Sequence, residues 1–127
     1  MRNKRIAHNG ELKLARDPKC IFCKIAAGEI PATLIKDGDG FVAFNDMNPQ
    51  APTHMLLIPK EHYANITELK DINELGTLFK AAGDLALERG LNKGFRLVVN
   101  TGDDGGQTVF HLHIHILGER PMKWPPG

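Results

Sequence analysis

The sequence has little net charge and no long hydrophobic run. Its 127 residues include 16 Lys and Arg against 15 Asp and Glu, a formal net charge of +1. A chain so balanced does not attract a polyanion such as duplex DNA, so we expect no nucleic-acid polymer as a partner. No apolar stretch approaches the roughly 20 residues that span a bilayer, and the first residues lack the apolar region of a secretory signal. We therefore expect a cytoplasmic protein without a membrane partner.

Cysteine is also scarce, which excludes a scaffold held together by disulfides. The two cysteines, Cys20 and Cys23, stand three positions apart. In a cytosolic protein this spacing indicates metal binding or redox chemistry rather than a structural bridge.

The length and composition predict one folded domain preceded by a basic arm. Hydrophobic residues make up 42% and charged residues 24%, as in ordinary globular proteins. Residues 1–16 contain five basic residues and one acid without clear periodicity. We expect these residues to form a loosely ordered arm, either merely solvated or serving as a targeting or phosphate-contacting extension. Residues 17–127 then form the domain.

Hydrophobic periodicity and turn residues predict two helices and five strands in this domain. Asp17-Pro18 is typical of a helix cap followed by proline in the first turn, and Gly28 predicts the end of this short helix. A long helix is predicted over 71–89, where apolar residues recur with the 3.6 period and Gly90 follows. The predicted strands cover residues 33–36, 41–44, 55–58, 95–100 and 109–117.

The order of these elements favours an α+β fold. Only one long helix lies between strands, so the repeated crossovers that build a parallel sheet are absent. Asp37-Gly38-Asp39-Gly40, between the first two strands, is a hairpin signal. We therefore predict a five-stranded, mainly antiparallel sheet with one short N-terminal helix and one long helix.

The segment His111-Leu112-His113-Ile114-His115-Ile116 alternates polar and apolar residues. On a strand, successive side chains point to opposite faces, so three imidazoles would share one face while Leu112, Ile114 and Ile116 enter the core. Neighbouring imidazoles would then stand about 7 Å apart. Three uses fit such a face: a metal site, since strand His-x-His pairs bind zinc, a polar surface, or phosphate chemistry.

The residues just before the histidines are suited to bind an anion. Gly105-Gly106-Gln107-Thr108 offers unobstructed backbone N–H groups, an amide and a hydroxyl, although such a turn can also be a plain hairpin connection. Imidazole is a competent neutral nucleophile near pH 7, and the phosphoimidazole that it forms is reactive enough to be hydrolysed. Together, the loop and the histidines favour phosphate chemistry.

The segment from Gly106 to His115 resembles the signature of the histidine triad (HIT) superfamily. Residues 44–54, residues 91–94 and the ending Trp124-Pro125-Pro126-Gly127 are similar to its histidine-triad nucleotide-binding (Hint) branch. The likeness runs from about Cys20 to the last residue. It implies a homodimer in which the long helix and strands of both subunits build one extended sheet. It also implies a hydrolase of purine nucleoside phosphoramidates and aminoacyl-adenylates.

The resemblance further implies roles for particular residues. His113 would be the nucleophile that becomes transiently nucleotidylated, and His115 would act beside it. His54, which the resemblance does not assign, would either orient His113 or simply end a strand. The implied nucleotide contacts are Asn100, Gly106, Gln107, Thr108, His113 and His115 at the phosphate, Asp46 at the ribose, Ile21, Phe22, Ile25, Phe44 and Met47 at the base, and Trp124 near the partner subunit's site. Taken without the resemblance, Asp46 is a turn-starting aspartate, Ile25 is a core residue and the tail covers its own domain.

The two cysteines resemble half of the zinc site that some bacterial triad proteins carry. The other ligands there correspond to His62 and His111 in this sequence. Two thiolates and two imidazoles make a closed tetrahedral set, which is a structural arrangement, so the resemblance implies a structural zinc. The alternative is a pair of reduced buried thiols. With zinc bound, His111 would support the fold while His113 and His115 perform the chemistry.

Two other functions stay open at this point. One is a different enzyme of the same superfamily, a dinucleoside polyphosphate hydrolase or a nucleotidyl transferase, against which the tail and residues 49–54 argue. The other is a dimeric, nucleotide-dependent protein-binding module. The intact His113 makes the second an additional role rather than a replacement.

Overall fold

The predicted α+β fold is confirmed in a computed structural model, which describes residues 4–6 and 12–127, with side chains described from residue 15 onward. Its elements are β1 Lys4–Ile6, β2 Leu12–Leu14, α1 Ile21–Ala26, β3 Leu34–Asp37, β4 Phe41–Asn45, β5 Thr53–Pro59, α2 Ile72–Glu88, β6 Phe95–Val98 and β7 Ile114–Gly118, with a 3₁₀ turn at Ile66–Glu68. In the described part of the chain, no helix combines the length and apolar character needed to cross a membrane.

The five predicted strands form one sheet in the order β3-β4-β5-β7-β6, and every neighbouring pair is antiparallel. The first hairpin turns between Asp37 and Phe41, as its glycine-rich sequence predicts. β5 is central and buried along its whole length. β7 lies beside β5, with His115 opposite Leu56, so the histidine segment is held at the middle of the sheet.

The sheet separates two hydrophobic layers. On one face, β4, β5 and β7 pack against α2, and the buried residues there include Ala43, Met55, Leu57, Leu78, Ala82, Leu85, Ala86, Leu112, Ile114 and Ile116. On the other face, a smaller cluster joins Phe22 of α1 to Val42, Phe44, Leu56 and Ile58. The predicted inward direction of Leu112, Ile114 and Ile116 is confirmed. His115, between two of them, therefore points to the α1 face.

The long helix α2 forms where its sequence predicts it. The Asp71 carboxylate accepts a hydrogen bond from the backbone N–H of Asn73 at 2.9 Å, which caps the first turn. The helix ends before Gly90, whose φ of 82° suits glycine better than any other residue. Only one stripe of α2 is buried, and that stripe covers the sheet.

The start of α1 differs from the prediction. The Asp17 carboxylate accepts a hydrogen bond from the N–H of Lys19 at 2.9 Å and makes a turn rather than a helix cap. The cap is Cys20, whose Sγ accepts from the N–H of Cys23 at 3.4 Å. The helix consequently begins at Ile21, and both cysteines lie at its N-terminal end.

The last two strands are shorter than predicted. β6 ends at Val98, and β7 begins at Ile114 rather than Val109. Backbone groups before β7 are bonded outside the sheet ladder: the Val109 carbonyl accepts from the Gln107 amide at 3.0 Å, and the Leu112 N–H donates to the Tyr63 carbonyl at 2.7 Å. His111 and His113 therefore lie on a segment that leads into the strand.

The arm contains two short antiparallel strands, β1 and β2, with Lys4 opposite Leu14. Residues 1–3 and 7–11 lie outside the described residues, so loose order over residues 1–16 stays a prediction. The last part of the arm reaches the domain, because Ala15 is buried and its carbonyl accepts from the N–H of His62 at 2.7 Å.

Candidate active site

A pocket of about 510 Å³ opens on the α1 face of the sheet, beside β4, β5 and β7. Most of the residues predicted to bind a nucleotide line it: Ile21, Phe22, Ile25, Phe44, Asp46, Met47, Thr108, His113 and His115. Its chemistry is divided. Apolar side chains form the part near α1, whereas the imidazoles and the Asp46 carboxylate are the titratable groups of the lining. A ligand with a flat apolar part and an anionic part would match this division.

Four consecutive residues in the lining escaped prediction from sequence: Ile30, Pro31, Ala32 and Thr33. They follow α1 and precede β3, where the sequence shows only a break after a glycine and offers no periodic signal. Asn45, Leu56 and Val109 were also missed. Phe44 faces the same side of the sheet as Leu56, so strand alternation was the one signal that could have found Leu56.

A backbone contact fixes the tautomer of the neutral His113 ring. Its Nδ1 lies 2.7 Å from the carbonyl oxygen of His111, and a carbonyl can only accept, so Nδ1 must carry the proton. The lone pair of the neutral ring is therefore on Nε2. The ring of Phe22 packs edge-on against it, with centroids 5.4 Å apart, and the side chain is buried. These contacts fix one tautomer and one orientation.

His54 holds His115 in the opposite tautomer, with the proton on Nε2. The Gln50 N–H donates to His54 Nδ1 at 2.9 Å, so the proton of neutral His54 is on Nε2. That Nε2 lies 2.8 Å from His115 Nδ1, which must accept, and the proton of His115 is consequently on its own Nε2. His113 offers a lone pair and His115 offers an N–H, with ring centroids 4.9 Å apart.

Burial favours the neutral forms of His115 and His54 at pH 7. Burial, together with the neighbouring His113 and His54, lowers the pKa of His115 to about 4, against the opposing effect of the Asp46 carboxylate. Burial also lowers the pKa of His54, although the Asp46 carboxylate, 3.4 Å from His54 Nε2, opposes the shift. The predicted contact of His54 with His113 is replaced by this contact with His115. His54 faces His115 because both are on adjacent strands and point to the α1 face.

Asp46 serves as a turn residue and also lines the pocket. One carboxylate oxygen accepts from the N–H of Asn48 at 2.8 Å, as the turn interpretation predicts. The other is the oxygen near His54. Its placement beside the apolar part of the pocket is compatible with the ribose contact that the resemblance implies, which stays a prediction.

Four predicted nucleotide contacts do not line the pocket: Asn100, Gly106, Gln107 and Trp124. The Gln107 amide is engaged within the protein, because its Oε1 accepts from Gly102 N–H and its Nε2 donates to the carbonyls of Ala64 and Val109. It therefore shapes the glycine-rich loop. Trp124 is 83% exposed, on a tail whose Lys123 carbonyl accepts from Arg96 at 3.0 Å.

A second cluster, formed by Cys20, Cys23, His62 and His111, lies behind the pocket. In a tetrahedral zinc site with Zn–S of about 2.3 Å and Zn–N of about 2.0–2.1 Å, S and N stand about 3.6 Å apart and two N about 3.3 Å apart. The S–N distances are 3.4 Å (Cys20 to His111), 3.3 Å (Cys23 to His62) and 3.5 Å (Cys23 to His111), and the two Nδ1 atoms are 3.3 Å apart. The cluster has the dimensions of a metal centre.

The surroundings of this cluster also suit a metal. The His111 Nε2 donates to the Pro59 carbonyl at 2.8 Å, which leaves the Nδ1 lone pair facing the sulfurs. The backbone N–H of Asp17 donates to Cys23 Sγ at 3.4 Å. Burial raises the pKa of Cys23 to about 11, so this thiol is protonated at pH 7 unless a cation displaces the proton. The four residues could hold one divalent ion.

Comparison with known proteins shows which family shares these features. A family model described as the HIT domain matches residues 27–122. The chain is 42% identical over 129 residues to the protein named Adenylylsulfatase HINT1 of Arabidopsis thaliana, covering 96% of this chain and 88% of that one. It is 42% identical over 120 residues to a 14 kDa zinc-binding protein of Zea mays, covering 91% and 94%. A solved HIT family hydrolase from Legionella pneumophila Philadelphia 1 has 49% identity and a TM-score of 0.83, covering 86% and 100%.

Acid should destabilise the protein partly through His115. Since its pKa is about 4 in the folded state and near 6.5 when unfolded, the unfolded chain binds the extra proton between these values, and stability falls as pH falls. Between pH 7 and 5 we expect this residue to remove about 1 to 2 kcal/mol from the free energy of unfolding. Urea unfolding of the protein and of His115→Asn at both pH values measures the difference. Equal losses in the two proteins would contradict the assignment.

Proposed function

The chain belongs to the HIT domain family, and from this premise we propose that it hydrolyses purine nucleoside phosphoramidates and aminoacyl-adenylates at the α-phosphorus. The observation that carries the proposal is the pair of opposite tautomers in one pocket. His113 presents a lone pair on Nε2, and His115 presents an N–H. A nucleophile and a proton donor side by side are the two groups that such a reaction needs.

In the proposed reaction His113 Nε2 attacks the α-phosphorus, and the bond from phosphorus to the leaving nitrogen or acyl oxygen breaks. The His111 carbonyl stabilises the positive charge that develops on the ring, because it accepts from Nδ1–H. His115 passes its proton to a departing amine. Water then attacks the nucleotidyl-histidine and releases a proton, which returns to His115 when the leaving group was an amine and passes to solvent when it was a carboxylate. After both steps the two imidazoles are as they began.

The two parts of the pocket suit the two parts of the substrate. Ile21, Phe22, Ile25, Phe44 and Met47 would contact the purine. Asp46 would accept hydrogen bonds from the ribose diol. Thr108 lines the pocket with the histidines and would donate its hydroxyl to the phosphate. The N–H groups of Gly106 and Gln107, expected from the sequence to bind the anion, instead donate to the carbonyls of Asp103 and Gly102.

A structural zinc would be held by Cys20, Cys23, His62 and His111. The ion would supply only a cross-link, since four protein ligands complete its coordination and leave no position for substrate. It would tie α1 to the end of β5 and to the segment before β7, and so would fix His111, whose carbonyl orients His113.

We also propose a homodimer whose sheet continues across the two subunits. β6 is an edge strand of the sheet, and Phe95 on it is 36% exposed, so this edge has unpaired backbone groups and apolar surface to offer. The exposed Trp124 would then lie near the partner subunit's pocket. Within a cell we expect the protein in the cytoplasm.

Replacing the nucleophile tests the proposed reaction. His113→Ala should lower turnover of adenosine 5′-phosphoramidate by at least about 10³-fold while AMP binding, measured by calorimetry, persists. A substrate panel should include adenylyl sulfate, the compound class in the name of the Arabidopsis relative, and diadenosine polyphosphates. The phosphoramidate should be turned over fastest. Full activity of His113→Ala would refute the mechanism, and preference for dinucleoside polyphosphates would favour the other enzyme branch.

Metal analysis tests the zinc proposal. Protein purified without an affinity metal should contain about one zinc per chain, and Cys23→Ser should lose most of it together with thermal stability. His54→Gln is a matched control. It also removes a buried histidine, but His54 is not one of the four proposed ligands, so this variant should retain zinc. Clearly substoichiometric zinc in the unaltered protein, with unchanged stability in Cys23→Ser, would contradict the proposal.

A further inference from the structure

The turn that follows β7 has an unusual backbone conformation. Glu119 has a φ of 69°, and among the described residues it is the one non-glycine residue with positive φ. This conformation is unfavourable for an L-residue and persists only where surrounding contacts hold it. The next two features show what holds it.

Two side chains of this turn bond the loop that precedes β5. The Glu119 carboxylate accepts a hydrogen bond from the Thr53 hydroxyl. The Arg120 guanidinium donates from Nε to the Gln50 carbonyl at 2.9 Å. The turn therefore grips residues 50–53 at both ends, directly before His54.

Gln50 connects the turn after β7 to the hydrogen-bonded imidazoles of His54 and His115. Its carbonyl accepts from Arg120, and its N–H donates to His54 Nδ1. That N–H acts together with the Asp46 carboxylate to keep the proton of His54 on Nε2, and His54 in turn sets the tautomer of His115. Three hydrogen bonds in series thus join an exposed arginine to the proton that His115 holds.

The imidazole pair has a second arrangement available. Without the Gln50 N–H, His54 can carry its proton on Nδ1 and accept at Nε2 from His115 Nδ1–H. His115 would then present a lone pair on Nε2 instead of an N–H, and it could not protonate a leaving amine. One hydrogen bond joins the two rings in each arrangement, so the choice depends on groups around them: the Gln50 N–H at His54 Nδ1 and the Asp46 carboxylate, 3.4 Å from His54 Nε2, both favour the first arrangement.

We propose that Glu119 and Arg120 are positioning residues that hold the backbone of Gln50 against His54 and thereby help to keep the proton of His115 on Nε2. The inference rests on the proposed function only for the use of that proton. Neither residue lines the nucleotide pocket, so they act through His54 rather than on the substrate. The exposed Arg120 guanidinium donates only to the backbone carbonyls of Gln50 and Pro121, and such surface hydrogen bonds contribute little to stability.

The leaving group provides a readout that a merely structural role would not change. An amine must be protonated as it departs from the phosphorus. In a nitrophenyl ester of AMP the leaving group is nitrophenolate, which departs without a proton. Arg120→Ala should therefore lower kcat for the phosphoramidate by about 10-fold or more. The loss should not exceed the roughly 10²–10⁴-fold that a positioned proton donor contributes in full. For the nitrophenyl ester, kcat should change by less than about 2-fold, and KM for both substrates should stay within about 2-fold.

Nitrogen NMR of the imidazoles measures the same effect without turnover. In the unaltered protein His54 and His115 should each show a protonated Nε2 and an unprotonated Nδ1, and Arg120→Ala should show both tautomers. Arg120→Lys retains a hydrogen-bond donor, so it should recover part of the phosphoramidate kcat and part of the single-tautomer NMR spectrum. Arg89→Ala removes an exposed arginine at the end of α2, on the opposite face of the sheet, and should match the unaltered protein.

The outcomes separate this inference from the proposed function. Equal loss on both substrates, or a single unchanged tautomer in Arg120→Ala, would overturn the positioning role even if His113 is the nucleophile. If the protein hydrolyses neither substrate, the proposed function fails, and the NMR result alone decides whether the turn sets the tautomers.

Discussion

Hydrogen bonds from backbone groups to imidazole rings are the constraint on which the site depends. The carbonyl of His111 fixes the proton of His113, the carbonyl of Pro59 fixes that of His111, and the N–H of Gln50 fixes that of His54. A backbone carbonyl has no proton and a backbone N–H has no lone pair in reach, so each contact allows one tautomer of the neutral ring. Chemically identical side chains thereby acquire different roles.

The layered fold makes room for these contacts. Burial of apolar side chains between α2 and the sheet supplies the main driving force for folding and leaves the α1 face free to carry polar groups. β5 and β7 place His54 and His115 side by side on that face. The segment before β7 departs from the sheet, and its carbonyl groups can therefore accept from side chains. His113 therefore lies where the regular strand ladder stops.

Much of this could be predicted from the residues. Alternation in 111–116 correctly placed Leu112, Ile114 and Ile116 in the core, because the inward direction depends only on local chain geometry. The same alternation overestimated the strand, since long-range bonds such as that of Leu112 to Tyr63 hold residues 109–113 apart from the ladder. His54 was identified as a histidine of interest but paired with the wrong partner, because strand pairing is a tertiary property. The resemblance supplied His62, which no local pattern marks.

The exposure of the C-terminal tail and the histidine tautomers could not be predicted from the sequence, because both depend on tertiary contacts. A tautomer is set by one hydrogen bond to a group that is distant in sequence, as Gln50 and Arg120 show. The exposure of Trp124 likewise depends on what covers it rather than on its neighbours in the chain. A sequence pattern predicts which face of a strand or helix a residue occupies. The tautomers and the exposure of Trp124 depend instead on contacts between individual atoms in the folded chain.

Neutron diffraction from a deuterium-exchanged crystal at neutral pH tests the central claim most directly. The account predicts deuterium on Nδ1 of His113 and on Nε2 of His54 and His115, with the remaining nitrogen of each ring bare. Deuterium on Nε2 of His113 would remove its nucleophilic lone pair and contradict the account.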